Sequence, residues 1–249
     1  MSVQTNASPP VAPSFDLSGL RILVTGAGNG IGKETAKVCA SLGAYVILAD
    51  RRKGDVGGAD AGTIYECDVA DRAAVERLCE SIGPIDVAVL SAGINPIVDW
   101  NSADWTEAFH TVMDVNVGGL VNVARCLLPG MQTRGSGRFV ILGSIAAFTG
   151  GGIFSDTPPQ YIISKGGVHA FVRWLARKAG PSIQVNGIAP GVVDTSINDP
   201  TAFVAPSGQI MPRMANVSEI AWPIAFLCSP AASYMTGAIL DVNGGNYLR

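Results

Sequence analysis

Tyr161 and Lys165 stand four residues apart in a segment whose pattern predicts a helix over residues 159–179. This spacing places both side chains on one face of the helix. A phenol with an unperturbed pKa of about 10 is a poor base at neutral pH, but a nearby ammonium group favours the phenolate. We therefore expect Lys165 to lower the pKa of Tyr161, so that the pair exchanges a proton with an alcohol or carbonyl oxygen. A surface pair without function has the same spacing, so the argument needs further residues.

Ser144 adds to this argument. It follows an apolar run that predicts a strand over residues 138–142, so its hydroxyl would face a pocket at the end of that strand. A hydroxyl donor at this point can polarise the substrate oxygen on which the tyrosine acts.

The stretch from Thr25 to Gly32 reads Thr-Gly-Ala-Gly-Asn-Gly-Ile-Gly and lies between a predicted strand at 21–24 and a predicted helix at 31–42. Glycine lets the backbone turn sharply and approach a phosphate closely. The helix that follows offers unpaired N–H groups and the positive end of its dipole. Strand, glycine turn and helix in this order predict a site for the pyrophosphate of a dinucleotide.

Asp50 closes the next predicted strand, a little under twenty residues after the glycine turn. A carboxylate at this place accepts hydrogen bonds from the adenosine ribose hydroxyls and repels a 2′-phosphate. The neighbouring Arg51 would instead attract a 2′-phosphate, but Ala27 and Asn29 add no basic residue in the glycine turn. We therefore expect NAD, with NADP as the alternative.

The elements that must position these residues alternate along the chain. Apolar runs predict strands over 21–24, 44–49, 63–66, 85–90, 138–142, 183–189 and 238–242, and amphipathic runs predict helices over 31–42, 71–82, 104–131, 159–179 and 218–228. The segment 104–131 is one long helix or two joined near Asn116. This alternation predicts an α/β fold, a single-domain Rossmann-type doubly wound parallel sheet of about seven strands flanked by helices. Ligands of such sheets bind at the carboxyl ends of the strands.

We divide the 249 residues into a flexible tail at 1–14 and one dinucleotide-binding catalytic domain at 15–249. Within that domain, the apolar and proline-bearing segment around 196–214 is either a lid over the substrate or a plain connecting loop. Together with the apolar residues that follow the fourth predicted strand, it favours a hydrophobic substrate, cyclic and aromatic compounds included.

The net charge of −3 gives no electrostatic footprint for nucleic acid or an anionic membrane. The five cysteines lack Cys-x-x-Cys spacing, the start lacks a signal-peptide pattern, and no run is long enough for a membrane span, so we expect a cytoplasmic protein. The two histidines, His110 and His169, lack metal-ligand spacing and are interpreted as structural or surface residues. We predict no metal site.

Taken together, these patterns resemble the short-chain dehydrogenase/reductase family, and in particular its NAD-preferring members. The motifs that carry the resemblance run in the family order from about residue 18 to the end: Thr25-Gly26-x-x-x-Gly30-Ile31-Gly32, Cys67-Asp68-Val69, Ser91-Ala92-Gly93, Val115-Asn116-Val117, Ser144, Tyr161-x-x-x-Lys165 and Pro190-Gly191-x-x-x-Thr195.

The resemblance implies four catalytic residues. Tyr161 is the acid/base, Lys165 lowers its pKa and binds the nicotinamide ribose, Ser144 polarises the substrate oxygen, and Asn116 kinks its helix and holds a water in a proton relay. The cofactor contacts that it implies are Gly26, Asn29, Gly30, Ile31, Asp50, Arg51, Asp68, Val69, Ser91, Ala92, Gly93, Tyr161, Lys165, Pro190, Gly191, Val193 and Thr195. Without the family pattern, Asn116 would be interpreted as a buried, satisfied amide.

Two features depart from the family pattern. Leu90-Ser91-Ala92-Gly93 stands where Asn-Asn-Ala-Gly is usual, for which we expect a modest effect on stability. The interval between Ser144 and Tyr161 is longer than usual, and the extra residues, which include Phe154, lie within 149–159.

The resemblance therefore implies an NAD-dependent alcohol dehydrogenase or ketoreductase that acts on a small-molecule alcohol or ketone and assembles as a homo-oligomer, usually a tetramer. The alternatives are a 3-oxoacyl-carrier-protein-type reductase that uses NADPH, a catalytically silent NAD-binding sensor, and an epimerase or dehydratase on a related fold.

Overall fold

The computed structural model describes residues 15–52, 62–151, 157–195, 203–205 and 209–248. The predicted tail at 1–14, Phe154 and much of the predicted lid lie outside these residues. The strands are β1 Arg21–Thr25, β2 Tyr45–Asp50, β3 Thr63–Glu66, β4 Val87–Leu90, β5 Gly137–Leu142, β6 Ile183–Pro190 and β7 Ile239–Val242. The helices are α1 Gly30–Ser41, α2 Arg72–Ile82, α3 Trp105–Met113, α4 Gly119–Arg134, α5 Ala146–Thr149, α6 Pro159–Ala179 and α7 Val217–Cys228.

Within the described part of the chain, the strands form one seven-stranded parallel sheet in the order β3-β2-β1-β4-β5-β6-β7. Both faces of the sheet are covered, and for this reason the central strands are apolar at nearly every position. In β1, Leu23 packs with a cluster that includes α2, α4 and α6, whereas Ile22 and Val24 pack with the cluster of α1 and α7 on the opposite face. The doubly wound fold predicted from the sequence is confirmed.

Helix α2 begins where the sequence places its start. Asp71 is its N-cap, and its Oδ1 accepts hydrogen bonds from the N–H groups of Ala73 at 2.9 Å and Ala74 at 3.2 Å. A carboxylate at this position satisfies donors that have no partner within the helix.

The long apolar stretch near Asn116 is one continuous helix with an irregular centre. A π turn at Asp114–Gly118 joins α3 to α4, and the N–H of Gly119 donates to the carbonyl of Asp114. By length and composition the stretch Trp105–Arg134 would suffice to cross a membrane. Here it packs on the sheet, where Leu120 and Val123 are buried in the core. It is a core helix of the domain.

The sheet has its switch point between β1 and β4. These strands are adjacent, with Thr25 beside Leu90. After β1 the chain continues into α1 on one face of the sheet, whereas after β4 it continues through α3 into α4, which packs on the opposite face. The divergence opens a crevice at the carboxyl ends of the two strands, where such folds bind their ligands.

Candidate active site

The glycine turn after β1 approaches the loop after β4 backbone to backbone. Gly26 has a φ of +67°, and a Cβ on it would lie 2.7 Å from Cα of Ala92. A Cβ on Gly32 would overlap the carbonyl oxygen of Gly26, so α1 also begins in close contact with the turn. Any side chain at these positions would force the two segments apart. The turn therefore brings the start of α1 and the loop after β4 into close backbone contact, as expected for the predicted pyrophosphate site.

The same turn reaches residues on two other sides. Asn29 caps α1 and accepts a hydrogen bond from the N–H of Gly30 at 2.7 Å, with Ile31 next in the helix. A Cβ on Gly30 would lie 3.2 Å from the methyl group of Thr195. The glycine turn thus contacts Thr195 in the segment that follows β6. The residues predicted for the pyrophosphate and those predicted for the nicotinamide therefore lie next to each other.

Asp50 lies beside the glycine turn. Its Oδ2 accepts a hydrogen bond from the N–H of Gly28 at 2.9 Å, and its Oδ1 accepts one from Arg52 at 3.2 Å. The carboxylate keeps further lone pairs for ribose hydroxyls. Arg51 is exposed to solvent on the same loop.

The predicted adenine side is a pinned loop next to Asp50. The carbonyl of Asp50 accepts from the N–H of Cys67 at 2.8 Å, and Oδ1 of Asp68 accepts from Ala70 at 2.9 Å. The carbonyl of Val69 accepts from Nδ2 of Asn122 at 3.0 Å. Asn122 was not predicted, and its only sequence signal is an amide within an apolar helix.

The loop after β4 is held by a hydroxyl. Oγ1 of Thr25 accepts hydrogen bonds from the N–H groups of Ser91 at 3.2 Å and Ala92 at 3.3 Å. These bonds use the backbone of Ser91 and so do not depend on its side chain. A Cβ on Gly93 would meet Oδ1 of Asn116 at 3.3 Å and Nζ of Lys165 at 3.7 Å, so this loop borders two of the predicted catalytic residues.

Asn116 lies in the π turn with its side chain fully used. Oδ1 accepts from the N–H of Ile94 at 2.8 Å, and Nδ2 donates to the carbonyl of Ile94 at 3.0 Å and to Oγ of Ser164 at 3.0 Å. The residue is 1% exposed. The expected irregularity of the helix is present as the π turn. The side-chain amide, however, spends its hydrogen bonds on protein groups, which agrees with the interpretation as a buried, satisfied amide.

Ser144, Tyr161 and Lys165 come together at the carboxyl end of β5. The side chain of Ser144 is a polar neighbour of the Tyr161 phenol and favours its ionised form. Nζ of Lys165 lies 5.6 Å from the centroid of the Tyr161 ring and donates to the carbonyl of Leu142 at 2.9 Å. A phenol, a hydroxyl and a cation so arranged can bind one substrate oxygen and exchange a proton with it.

Burial governs the protonation of this group. It raises the pKa of Tyr161, and the polar side chain of Ser144 opposes the rise without cancelling it. The net shift is upward because desolvation of the phenolate is its largest cause, and the expected effect of Lys165 on the phenol stays a prediction. Burial also lowers the pKa of Lys165 to about 8, which leaves it a cation at neutral pH.

The predicted nicotinamide side follows β6. The carbonyl of Pro190 accepts from the N–H of Ile145 at 3.0 Å, next to Ser144, and Gly191 donates to Val242 at 3.1 Å. Val193 is buried and pairs with Ala215 in an isolated bridge, which brings the end of the predicted lid to this segment.

Known proteins resemble the chain over most of its length. The family profile described as Enoyl-(Acyl carrier protein) reductase matches residues 26–246. Galactitol 2-dehydrogenase (L-tagatose-forming) of Cereibacter sphaeroides is 38% identical over 255 residues, with 93% of this chain and 96% of that protein covered. The chain belongs to the short-chain dehydrogenase/reductase family.

Solved structures of short-chain dehydrogenases/reductases share the fold. The NADPH-dependent 3-quinuclidinone reductase from Rhodotorula rubra matches with a TM-score of 0.87 and 28% identity, over the full length of both chains. A 3-oxoacyl-[acyl-carrier protein] reductase from Brucella melitensis with bound NAD matches with a TM-score of 0.81 and 28% identity, over 95% of this chain and 94% of that one. The family membership predicted from the motifs is confirmed, and the protein is an oxidoreductase of this family that binds a nicotinamide cofactor.

One supporting residue of this site escaped the sequence analysis. Gln160 is fully buried directly before Tyr161, where its Oε1 accepts from the indole N–H of Trp105 at 3.0 Å. Its Nε2 donates to the carbonyl of Pro96 at 3.3 Å. It therefore ties the loop after β4 to the start of α6. Its partners are more than fifty residues away in sequence, so local patterns could not reveal it.

The lowered pKa of Lys165 predicts a pH dependence of stability. In the folded protein the pKa is about 8 and its ordinary value is 10.5, so between these pH values the unfolded chain binds more protons. The free energy of unfolding therefore rises across this window. We expect the difference between wild type and Lys165→Met, measured by urea unfolding, to shift in favour of wild type by about 3 kcal/mol from pH 8 to 10.5. If the difference in unfolding free energy between the two proteins did not change with pH, the lowered pKa of Lys165 would be contradicted.

Proposed function

We propose that this protein is an NAD-dependent short-chain alcohol dehydrogenase or ketoreductase that acts on a hydrophobic secondary alcohol or its ketone. The observation that carries the proposal is the convergence of Ser144, Tyr161 and Lys165 at the carboxyl end of β5, with the buried Nζ of Lys165 at 5.6 Å from the centroid of the tyrosine ring. A serine hydroxyl next to a phenol defines a place where a third oxygen, that of the substrate, can bind both.

Bound at the crevice, the nicotinamide ring would supply or accept the hydride. The protein's own part is the proton. Because burial favours the neutral phenol, Tyr161 is poised to donate its proton to a carbonyl oxygen as that oxygen gains charge. Ser144 donates a second hydrogen bond to the same oxygen. The cationic Lys165 stabilises the phenolate that remains, and in the direction of oxidation the same groups act in reverse.

NAD is the proposed cofactor. The carboxylate of Asp50 lies against the glycine turn through its bond to Gly28, where a 2′-phosphate would meet a negative charge. The exposed Arg51 lies next to it, so Arg51 would be the residue that attracts the 2′-phosphate if the protein preferred NADP. The NADPH-dependent and NAD-bound relatives allow either outcome within this fold.

A hydrophobic substrate is proposed from the apolar side chains near the crevice. Ile97 and Trp100 are 72% and 63% exposed on the loop after β4, and Met211 is 47% exposed in the predicted lid. The N–H of Met211 donates to the carbonyl of Gly244 at 2.8 Å. Met211 also lines a cavity of about 100 Å³ together with Gly191, on the predicted nicotinamide side. These contacts favour a lid whose end is anchored beside the cofactor site.

The other functions remain outcomes of the test. A 3-oxoacyl-carrier-protein reductase would act on a thioester-linked ketone with NADPH, and a polyol such as that of the galactitol-oxidising relative would indicate a polar pocket. A silent sensor would bind NAD without turnover.

All five cysteines are free thiols, which supports the proposed cytoplasmic location.

The first prediction concerns the reaction. In a screen of secondary alcohols with NAD, followed by NADH absorbance, we expect turnover of hydrophobic alcohols. Tyr161→Phe should lower kcat by about 1000-fold and leave NADH affinity, measured by fluorescence, nearly unchanged. Tyr234→Phe, on a fully exposed tyrosine, is the matched control. Unchanged turnover in Tyr161→Phe would remove the assignment, and a substrate set of small charged hydroxy acids alone would exclude the hydrophobic pocket.

The second prediction concerns the cofactor. Asp50→Asn keeps an oxygen that can accept from Gly28 and removes the charge. We expect the ratio of kcat/KM for NAD to that for NADP to fall by about 10- to 100-fold, which corresponds to the usual free energy of a hydrogen bond to a charged group. Arg51→Ala is the companion variant. A wild-type preference for NADP, abolished by Arg51→Ala, would reverse the interpretation.

The third prediction concerns assembly. We propose a homotetramer in which α6 packs across subunits, since Trp174 is 58% exposed on this helix and stacks on Phe171 at 5.9 Å. Light scattering should give about four times 25.7 kDa for wild type, and Trp174→Glu should lower this mass. A wild-type mass of one chain would contradict the proposal.

A further inference from the structure

His169 packs directly behind the catalytic serine. It lies on α6, eight residues after Tyr161, and is 3% exposed. Its Nε2 lies 3.3 Å from the main-chain nitrogen of Ser144, whose N–H donates to it. A Cβ on Gly143 would overlap Nε2 and approach Cδ2 to 2.6 Å, so the imidazole occupies the space that glycine leaves there.

The backbone around Ser144 explains why a side chain must take this hydrogen bond. The N–H groups of Gly143 and Ile145 donate to carbonyls of β6, those of Ile188 at 2.7 Å and Pro190 at 3.0 Å. Alternate N–H groups of an extended segment point to opposite sides. The N–H of Ser144 therefore points away from β6 and towards α6. A helix offers no free carbonyl in its middle, and the imidazole supplies the acceptor instead.

We propose that His169 is a positioning residue for Ser144: its neutral imidazole accepts the main-chain N–H of Ser144 and so holds the serine hydroxyl towards Tyr161. The inference rests on the proposed function, because it assigns His169 a task only if Ser144 polarises the substrate oxygen. His169 does not touch the reacting atoms.

Neighbouring aromatic rings hold the imidazole in this orientation. The ring of Phe148 lies 4.6 Å from that of His169 and stacks on Tyr247 at 5.4 Å with an interplanar angle of 11°. Because a backbone N–H can only donate, Nε2 must be the unprotonated nitrogen of the ring. The stack, which joins α5 to the segment after β7, keeps that nitrogen aimed at Ser144.

This contact ties the main chain of Ser144 to α6. Within its own turn, Oγ of Ser144 accepts from the N–H of Ala146 at 3.1 Å, and its side chain neighbours Tyr161. Without the imidazole acceptor, a part-buried N–H would lose its partner, and the turn would shift to find another. A shift of the serine by a fraction of an ångström weakens transition-state binding while leaving the distant cofactor contacts in place.

The test compares two substitutions at position 169. His169→Leu keeps an apolar side chain of similar bulk and lacks the acceptor, whereas His169→Gln offers an amide oxygen near the place of Nε2. We expect kcat to fall by about 10- to 100-fold in His169→Leu and to recover largely in His169→Gln, with NADH affinity and the thermal midpoint close to wild type. The matched control is His110→Phe, at the exposed histidine of α3, for which we expect wild-type kinetics.

A double-mutant comparison decides whether the effect passes through the serine. In the Ser144→Ala background, His169→Leu should leave the residual kcat unchanged, because the group that it positions is gone. An equal further loss in that background would show a general structural role and overturn the proposal. So would wild-type kcat in His169→Leu while Ser144→Ala is impaired. If Ser144→Ala and Tyr161→Phe both turned over like wild type, the proposed function itself would fail.

Discussion

The buried amide of Asn116 holds together the three segments on which the site depends. It bonds both the N–H and the carbonyl of Ile94 in the loop after β4, and it donates to Ser164 in α6. Ser164 in turn donates to the carbonyl of Tyr161 at 2.7 Å. In the protein interior each of these bonds is costly to lose, because a displaced partner leaves polar atoms without water to replace it. The π turn, the loop and the catalytic helix therefore keep one relative arrangement.

Close to the hydrogen bonds of Asn116, two ionisable side chains are buried in surroundings that disfavour their charged forms. Lys165 is 5% exposed, and its surroundings favour the neutral amine, just as those of Tyr161 favour the neutral phenol. Each group is thus held in conditions that oppose its ionised form, and proton transfer between such groups and a substrate takes little reorganisation of water. The unfavourable free energy of burying this cation is offset by the packing of the sheet against the helices on both of its faces.

Local patterns were sufficient for the strands and the long helices, but they missed the short helix α5 and the contacts between elements. The apolar strands and the cap at Asp71 could be placed from the sequence because each depends on neighbours within one segment. His169 was interpreted as a structural or surface residue, since its spacing gives no sign that a loop 25 residues earlier lies against it. The raised pKa of Tyr161 depends on how much protein surrounds the phenol, which no spacing in the sequence records.

The site thus divides into two parts that the chain can change separately. Thr25 and Leu90 are paired in the centre of the sheet, and the turns that follow them meet backbone to backbone, so the end of the site predicted for the cofactor is determined by main-chain geometry. The apolar side chains at the other end stand on loops that leave the sheet. Insertions or exchanges there leave the strand register untouched. A protein built in this way can acquire a new substrate by substitution at its rim while it inherits its redox chemistry unaltered.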